Sequence, residues 1–170
     1  MKAAVIGAML LFVALAQVTA SPLFPVRGAV PDLPLVALVL IAAYVSVRAA
    51  MVALPVLAVF LGFLTSHEPA AYIVAYIPLL PLAYVLERSN LPLNTFARST
   101  LAGLATGLAA RATLSIAAMV QVEEVMVGPM VWQVLLPGLL LDAALLMLAY
   151  GGGKLAGWES RRLILEPSGY

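Results

Sequence analysis

Two residues of opposite charge stand inside apolar runs of this 170-residue chain: Arg111, in S-T-L-A-G-L-A-T-G-L-A-A-R-A-T-L-S, and Asp142, in L-L-L-D-A-A-L-L. A charge within an apolar helix needs a partner or water. A facing pair of this kind can be a ligand site, a conformational hinge, or a structural pair that fixes helix register. An arginine alone can instead snorkel into a water-filled crevice. Other chemistry is sparse. No nucleophile–base pair, phosphate loop or metal-ligand spacing is present, and the single histidine, His67, beside Glu68, is too little for a zinc site. The absence of cysteine excludes disulfides and thiol chemistry. Glu123 and Glu124 read as a solvated loop. No catalytic, cofactor-binding or metal-binding residue is assigned, and the expectation is a protein that is not an enzyme.

The stretch around Arg111 has its own pattern. Ser99, Gly103, Gly107, Arg111 and Ser115 recur every four residues and form one ridge if the stretch is helical. Gly103 and Gly107 make a G-x-x-x-G pair, which lets another helix backbone approach closely. That face packs either on the last span of the chain or on a partner's helix. Thr106, Thr113 and Ser115 are expected to satisfy the backbone of their own helix.

The elements that must position these residues follow from composition. The chain is 64% apolar and 10% charged, against roughly 25% charged for soluble domains. That balance implies an all-α polytopic membrane protein, a compact bundle of six transmembrane helices. The nine basic residues are scattered, so no patch for nucleic acid exists. Spans are expected at about 3–20, 33–47, 49–65, 70–86, 96–120 and 131–150, within one transmembrane domain (1–153) followed by a tail (154–170). Met1–Ala20 ends in V-T-A, as a cleavable secretory signal can, and is read here as a retained first span. Ser21–Pro34, with four prolines, reads as an ordered turn. Leu33–Thr65 as one helix would be about 50 Å long, well beyond a hydrocarbon core of roughly 30 Å, so the chain is expected to turn near Arg48. Pro55 is an expected kink in span three, Pro78 and Pro81 in span four. Gly151-Gly152-Gly153 is expected to end span six flexibly.

Basic residues set the orientation. With the N terminus inside, Lys2, Arg48, Arg88, Arg98, Lys154, Arg161 and Arg162 are cytoplasmic and only Arg27 is in an outside loop. Both termini are then cytoplasmic, and Trp132 and Trp158 anchor opposite interfaces. Arg111 lies about 13 Å below the outer end of span five and Asp142 about 16 Å below that of span six, by helical rise. The depths match within the reach of an arginine, so an ion pair between spans five and six is feasible. Gln17, near the outer end of span one, either hydrogen-bonds across helices or is solvated at the interface; solvation is the simpler reading.

The segment A-L-A-Q-V-T-A-S-P-L-F-P-V-R-G-A-V-P-D-L-P-L resembles the start of the MreD family of bacterial rod-shape proteins. The matching residues are Gln17 and Thr19 at the end of span one, Gly28 in the turn, and Pro31-Asp32-Leu33 at the head of span two. Pro31 and Asp32 also suit a helix start, with Asp32 near the positive end of the dipole. Family members commonly carry a Gly-rich segment ending in Asp after span three, where this chain has Gly62-Phe63-Leu64-Thr65-Ser66-His67. The resemblance implies a non-enzymatic scaffold of the cell-elongation machinery in the bacterial cytoplasmic membrane, supporting cell shape and peptidoglycan synthesis. Its implied partners are MreC and, through it, RodA, PBP2 and MreB, with no cofactor.

The alternative is a substrate-binding (S) subunit of an energy-coupling-factor vitamin transporter. Those subunits are also small six-span proteins, and the MreD fold resembles theirs. They use A-x-x-x-A faces on span one, a spacing that Ala4 and Ala8 share. A vitamin binder needs aromatic and polar loops over a cavity, and the stretch from Glu123 to Pro129 has no aromatic residue.

Overall fold

The computed structural model describes residues 2–23, 25–26, 28–65, 68–121 and 135–155. The expectations for Arg27, His67, Glu123, Glu124, Trp132, Trp158, Arg161 and Arg162 fall outside that set. The described residues are helical apart from short connections, and no strand occurs among them. The helices are α1 (Lys2–Thr19), α2 (Leu33–Tyr44), α3 (Val47–Thr65), α4 (Pro69–Tyr76), α5 (Leu79–Arg88), α6 (Thr95–Gln121) and α7 (Leu136–Leu155). With Pro69–Arg88 counted as one interrupted helix, pass four, the described residues form six helices. Four of the described helical stretches are long and apolar enough to cross a membrane: Ile6–Leu23, Val47–Thr65, Pro69–Arg88 and Leu136–Leu155. The described part of the chain is all-α, with the helix lengths and apolarity of a membrane protein.

The centre of the bundle is α2. Its side chains are buried almost all round, from Pro34 to Ala43, as expected of a uniformly apolar helix enclosed by others. It packs against α1, α3, α6 and α7. Because its neighbours shield it, it does not have to cover the hydrocarbon thickness: its 12 residues span only about 18 Å. Span two was expected to continue to Val47 and to be stopped by Arg48. Instead it ends at Tyr44, and Arg48 lies in the first turn of α3. Ser46 causes the break, since its hydroxyl accepts the Ala49 amide at 3.0 Å and starts a new helix there.

The proline-containing passes differ in outcome. α3 runs on through Pro55. In pass four, Pro78 and Pro81 remove two amides, α4 stops at Tyr76, and α5 begins at Leu79. The Leu80 amide turns back to the Ile77 carbonyl at 3.1 Å, and Leu82 reaches Pro78 at 3.2 Å, so the break keeps hydrogen bonds on both sides. At the next connection Arg98 donates to the carbonyls of Glu87 and Leu91, holding the α5–α6 link on α6.

Two expectations about span six need correction. Gly151-Gly152-Gly153 does not end the helix, since α7 continues to Leu155. The boundary at 153 therefore cuts through α7, which also includes Lys154. Three glycines in series disfavour a helix in water, but in apolar surroundings their amides have no better partner than the helix itself.

A ladder of contacts sets the register of α2 on α6. A Cβ at Gly107 would lie 2.8 Å from Leu35, and a Cβ at Gly103 would collide with Val39. At the far end Tyr44 meets Phe96, with ring centroids 6.4 Å apart, and Phe96 stacks on Tyr150 at 4.0 Å. The two helices run antiparallel, with four residues on each between the two glycine contacts. The glycine face therefore packs on α2, with Gly107 also touching Leu139 of α7. Span six is a secondary neighbour of that face, and α2 occupies the space a partner helix would need. Ser99, on the same ridge, is buried, and Ser115 is a helical residue of α6.

Candidate functional site: a charged junction at the start of α2

An exposed helix start leaves amides to water, and a buried one must find acceptors. The first amides of α2 are met by three side chains. Asp32 caps the helix itself, its Oδ1 accepting the Leu35 amide at 3.0 Å. Gln17 of α1 accepts the Leu33 amide through Oε1 at 2.9 Å. Asp142 of α7 accepts the Asp32 amide through Oδ1 at 2.8 Å. Gln17 thus bonds across helices and is not merely solvated, because a part-buried amide of α2 lies within its reach.

Asp142 is fully buried and uses its second oxygen for Arg111, whose Nη2 donates to Oδ2 at 2.7 Å. The same nitrogen reaches the Val30 carbonyl at 3.3 Å. The structure thus brings Arg111 and Asp142 together, and it adds the entry loop as a third party. The loop is shaped for this. Ser21–Leu23 form a short 3-10 turn, Val26 and Ala29 pair antiparallel, and Gly28 takes φ +85°, a conformation that suits glycine. The Ser21 hydroxyl then donates to the Pro31 carbonyl at 2.8 Å.

The seats of the two charges are reciprocal. Gly107 precedes Arg111 by four residues on α6, and Gly138 precedes Asp142 by four on α7. A Cβ at Gly138 would run into the Arg111 guanidinium, and one at Gly107 would lie 3.8 Å from Asp142 Oδ2. Each charge sits against the other helix's glycine. Arg111 Nε, also buried, has no hydrogen-bond partner among the described residues.

Tyr76, the last residue of α4, completes the junction. Its hydroxyl donates to the Asp32 carboxylate, 2.9 Å from Oδ1 and 3.0 Å from Oδ2. One proton is shared between two oxygens. Both carboxylates act as acceptors at every contact made here. Arg111 balances one of them, and the other faces the amide end of α2, where the helix carries partial positive charge.

Of the residues singled out in the sequence, Gln17, Asp32, Leu33, Arg111 and Asp142 meet at this junction, and Gly28 and Pro31 shape the loop that enters it. Thr19 does not take part, since its hydroxyl returns to the Leu15 carbonyl at 2.8 Å. Gly107 lines it, whereas Gly103 lies one turn away against Val39. Thr106 and Thr113 bond to the carbonyls of Ala102 and Ala109 in their own helix. Sequence reasoning missed Tyr76, Ser21 and Gly138. The repeat of glycine four residues before a charge, in both apolar helices, was a signal that could have found Gly138.

The described residues form a bundle of apolar helices, four of them long enough to cross a membrane, tied together by this buried polar junction. Comparisons with family models, with curated proteins and with solved structures return no match.

Proposed function

We propose that the chain is a non-enzymatic membrane scaffold of the MreD type, acting in bacterial cell elongation. The observation that carries this reading is where the family-like residues lie. Gln17 and Asp32-Leu33 are bonded into the junction that joins α1, α2, α4 and α7. The motif behind the resemblance therefore has a physical task in this chain. Apart from Arg111 Nε, the groups assembled there satisfy one another, which suits a packing unit. In this reading the protein lies in the cytoplasmic membrane with both termini inside, and a bitopic MreC-type protein packs its transmembrane helix on an outer face. That face is not the Gly103/Gly107 ridge, which α2 fills. RodA, PBP2 and MreB join through MreC.

The test is co-expression with MreC, followed by copurification and native mass spectrometry in a mild detergent. The expected result is a complex with MreC, with RodA and PBP2 recovered in its presence. A chain that ignores MreC but carries a vitamin-sized molecule would overturn the scaffold reading in favour of a transporter S subunit.

A further inference from the structure

We infer that pass four is a hinged helix whose Tyr76 end is latched to Asp32, and that this latch is coupled to the Arg111–Asp142 pair. The hinge lies at Ile77–Pro78, between α4 and α5, where Pro78 and Pro81 have removed two amides from the ladder. The two halves lean on different supports. α4 packs mainly on α3 and also on α6, and α5 packs mainly on α6. Tyr76 is buried whereas its neighbour Ile77 is half exposed, so Tyr76 lies on the face of the helix turned to the bundle. That residue places its hydroxyl on both oxygens of Asp32.

Asp32 is what links the hinge to the ion pair. Its carboxylate holds Tyr76, while its backbone amide holds Asp142. Asp142 in turn holds Arg111, which reaches back to Val30, two residues before Asp32. Moving Arg111 or Asp142 therefore shifts the backbone that carries the Tyr76 acceptor. A separate tie, the Thr65–Tyr72 hydroxyl contact at 2.8 Å, holds the earlier part of α4 to α3. The hinge and the pair share one residue without touching each other.

The test is hydrogen–deuterium exchange of the full chain in detergent micelles, read over residues 70–82. Tyr76→Phe is expected to raise exchange there roughly tenfold, the scale set by losing one hydrogen bond to a carboxylate. Asp142→Asn is expected to raise exchange over the same residues, although it does not touch α4. The double variant is expected to exchange no faster than Tyr76→Phe alone. If Asp142→Asn does not fold, Gly138→Ala carries the same test, because it keeps both charges and displaces the guanidinium. Unchanged exchange in Tyr76→Phe would remove the latch. Faster exchange confined to α6 and α7 in Asp142→Asn or Gly138→Ala would remove the coupling.

Discussion

The Asp32 backbone amide donates to Asp142 Oδ1 at 2.8 Å, joining two carboxylate residues 110 positions apart without pairing their carboxylates. Asp142 stands in for the missing carbonyl of a preceding helical turn, and the Asp32 side chain is left for Leu35 and Tyr76. Helix α2 can therefore begin inside the bundle. A short central helix and a buried ion pair are two consequences of the same arrangement.

The Gln17 contact tests the capping role by itself. Gln17→Leu leaves the part-buried Leu33 amide with no acceptor, which costs about 1–3 kcal/mol. Thermal denaturation in detergent should show a clear loss of stability. Gln17→Glu keeps an acceptor there and should lose less. Equal stability of Gln17→Leu and the parent would mean that water replaces the side chain.

Two glycines of α7 should respond oppositely to alanine. At Gly138 a Cβ meets the Arg111 guanidinium, so Gly138→Ala is expected to cost about 1–3 kcal/mol through overpacking. At Gly151 a Cβ meets nothing within 4 Å, and Gly151→Ala is expected to be neutral or stabilising by up to about 1 kcal/mol through helix propensity. Paired melting curves of the two variants check this.

The α2–α6 register predicts a compensation. Gly103→Ala puts a methyl into Val39 and is expected to lower stability; Gly103→Ile should do so more severely. Val39→Ala in the Gly103→Ala background should restore part of the loss, because it opens the space the methyl needs. Val39→Ala alone leaves a cavity and should cost stability. If the double variant is no better than Gly103→Ala, the two residues are not in contact.

The sequence made the helical passes legible because apolar runs and prolines mark them, and it made Arg111 and Asp142 legible because a charge in such a run is rare. The position of α2 was not legible. Its residues look like those of a membrane span, and only its enclosure by α1, α3, α6 and α7 shows why 12 residues suffice. Gln17 was ambiguous because its acceptor role depends on a backbone amide, which every residue other than proline carries. Tyr76 was invisible for a related reason: an aromatic residue in an apolar run reads as packing, and its hydroxyl's acceptor, Asp32, lies 44 residues away in the chain. The glycine triplet misled because glycine's cost in a helix, about 1 kcal/mol per residue, is small beside the backbone hydrogen bonds that breaking the helix in apolar surroundings would forfeit.

The most direct measurement of the junction is a double-mutant cycle on Arg111 and Asp142, read as folded yield and unfolding free energy in one detergent. Arg111→Leu leaves Asp142 as a buried charge and should cost about 3–5 kcal/mol. Asp142→Leu strands Arg111 in the same way and also deprives the Asp32 amide of its acceptor. The double variant should recover part of the loss, with a residue of about 1–3 kcal/mol from that unsatisfied amide. A loss in the double variant clearly smaller than the sum of the single losses is the expected result; losses that simply add would contradict a junction held by this pair.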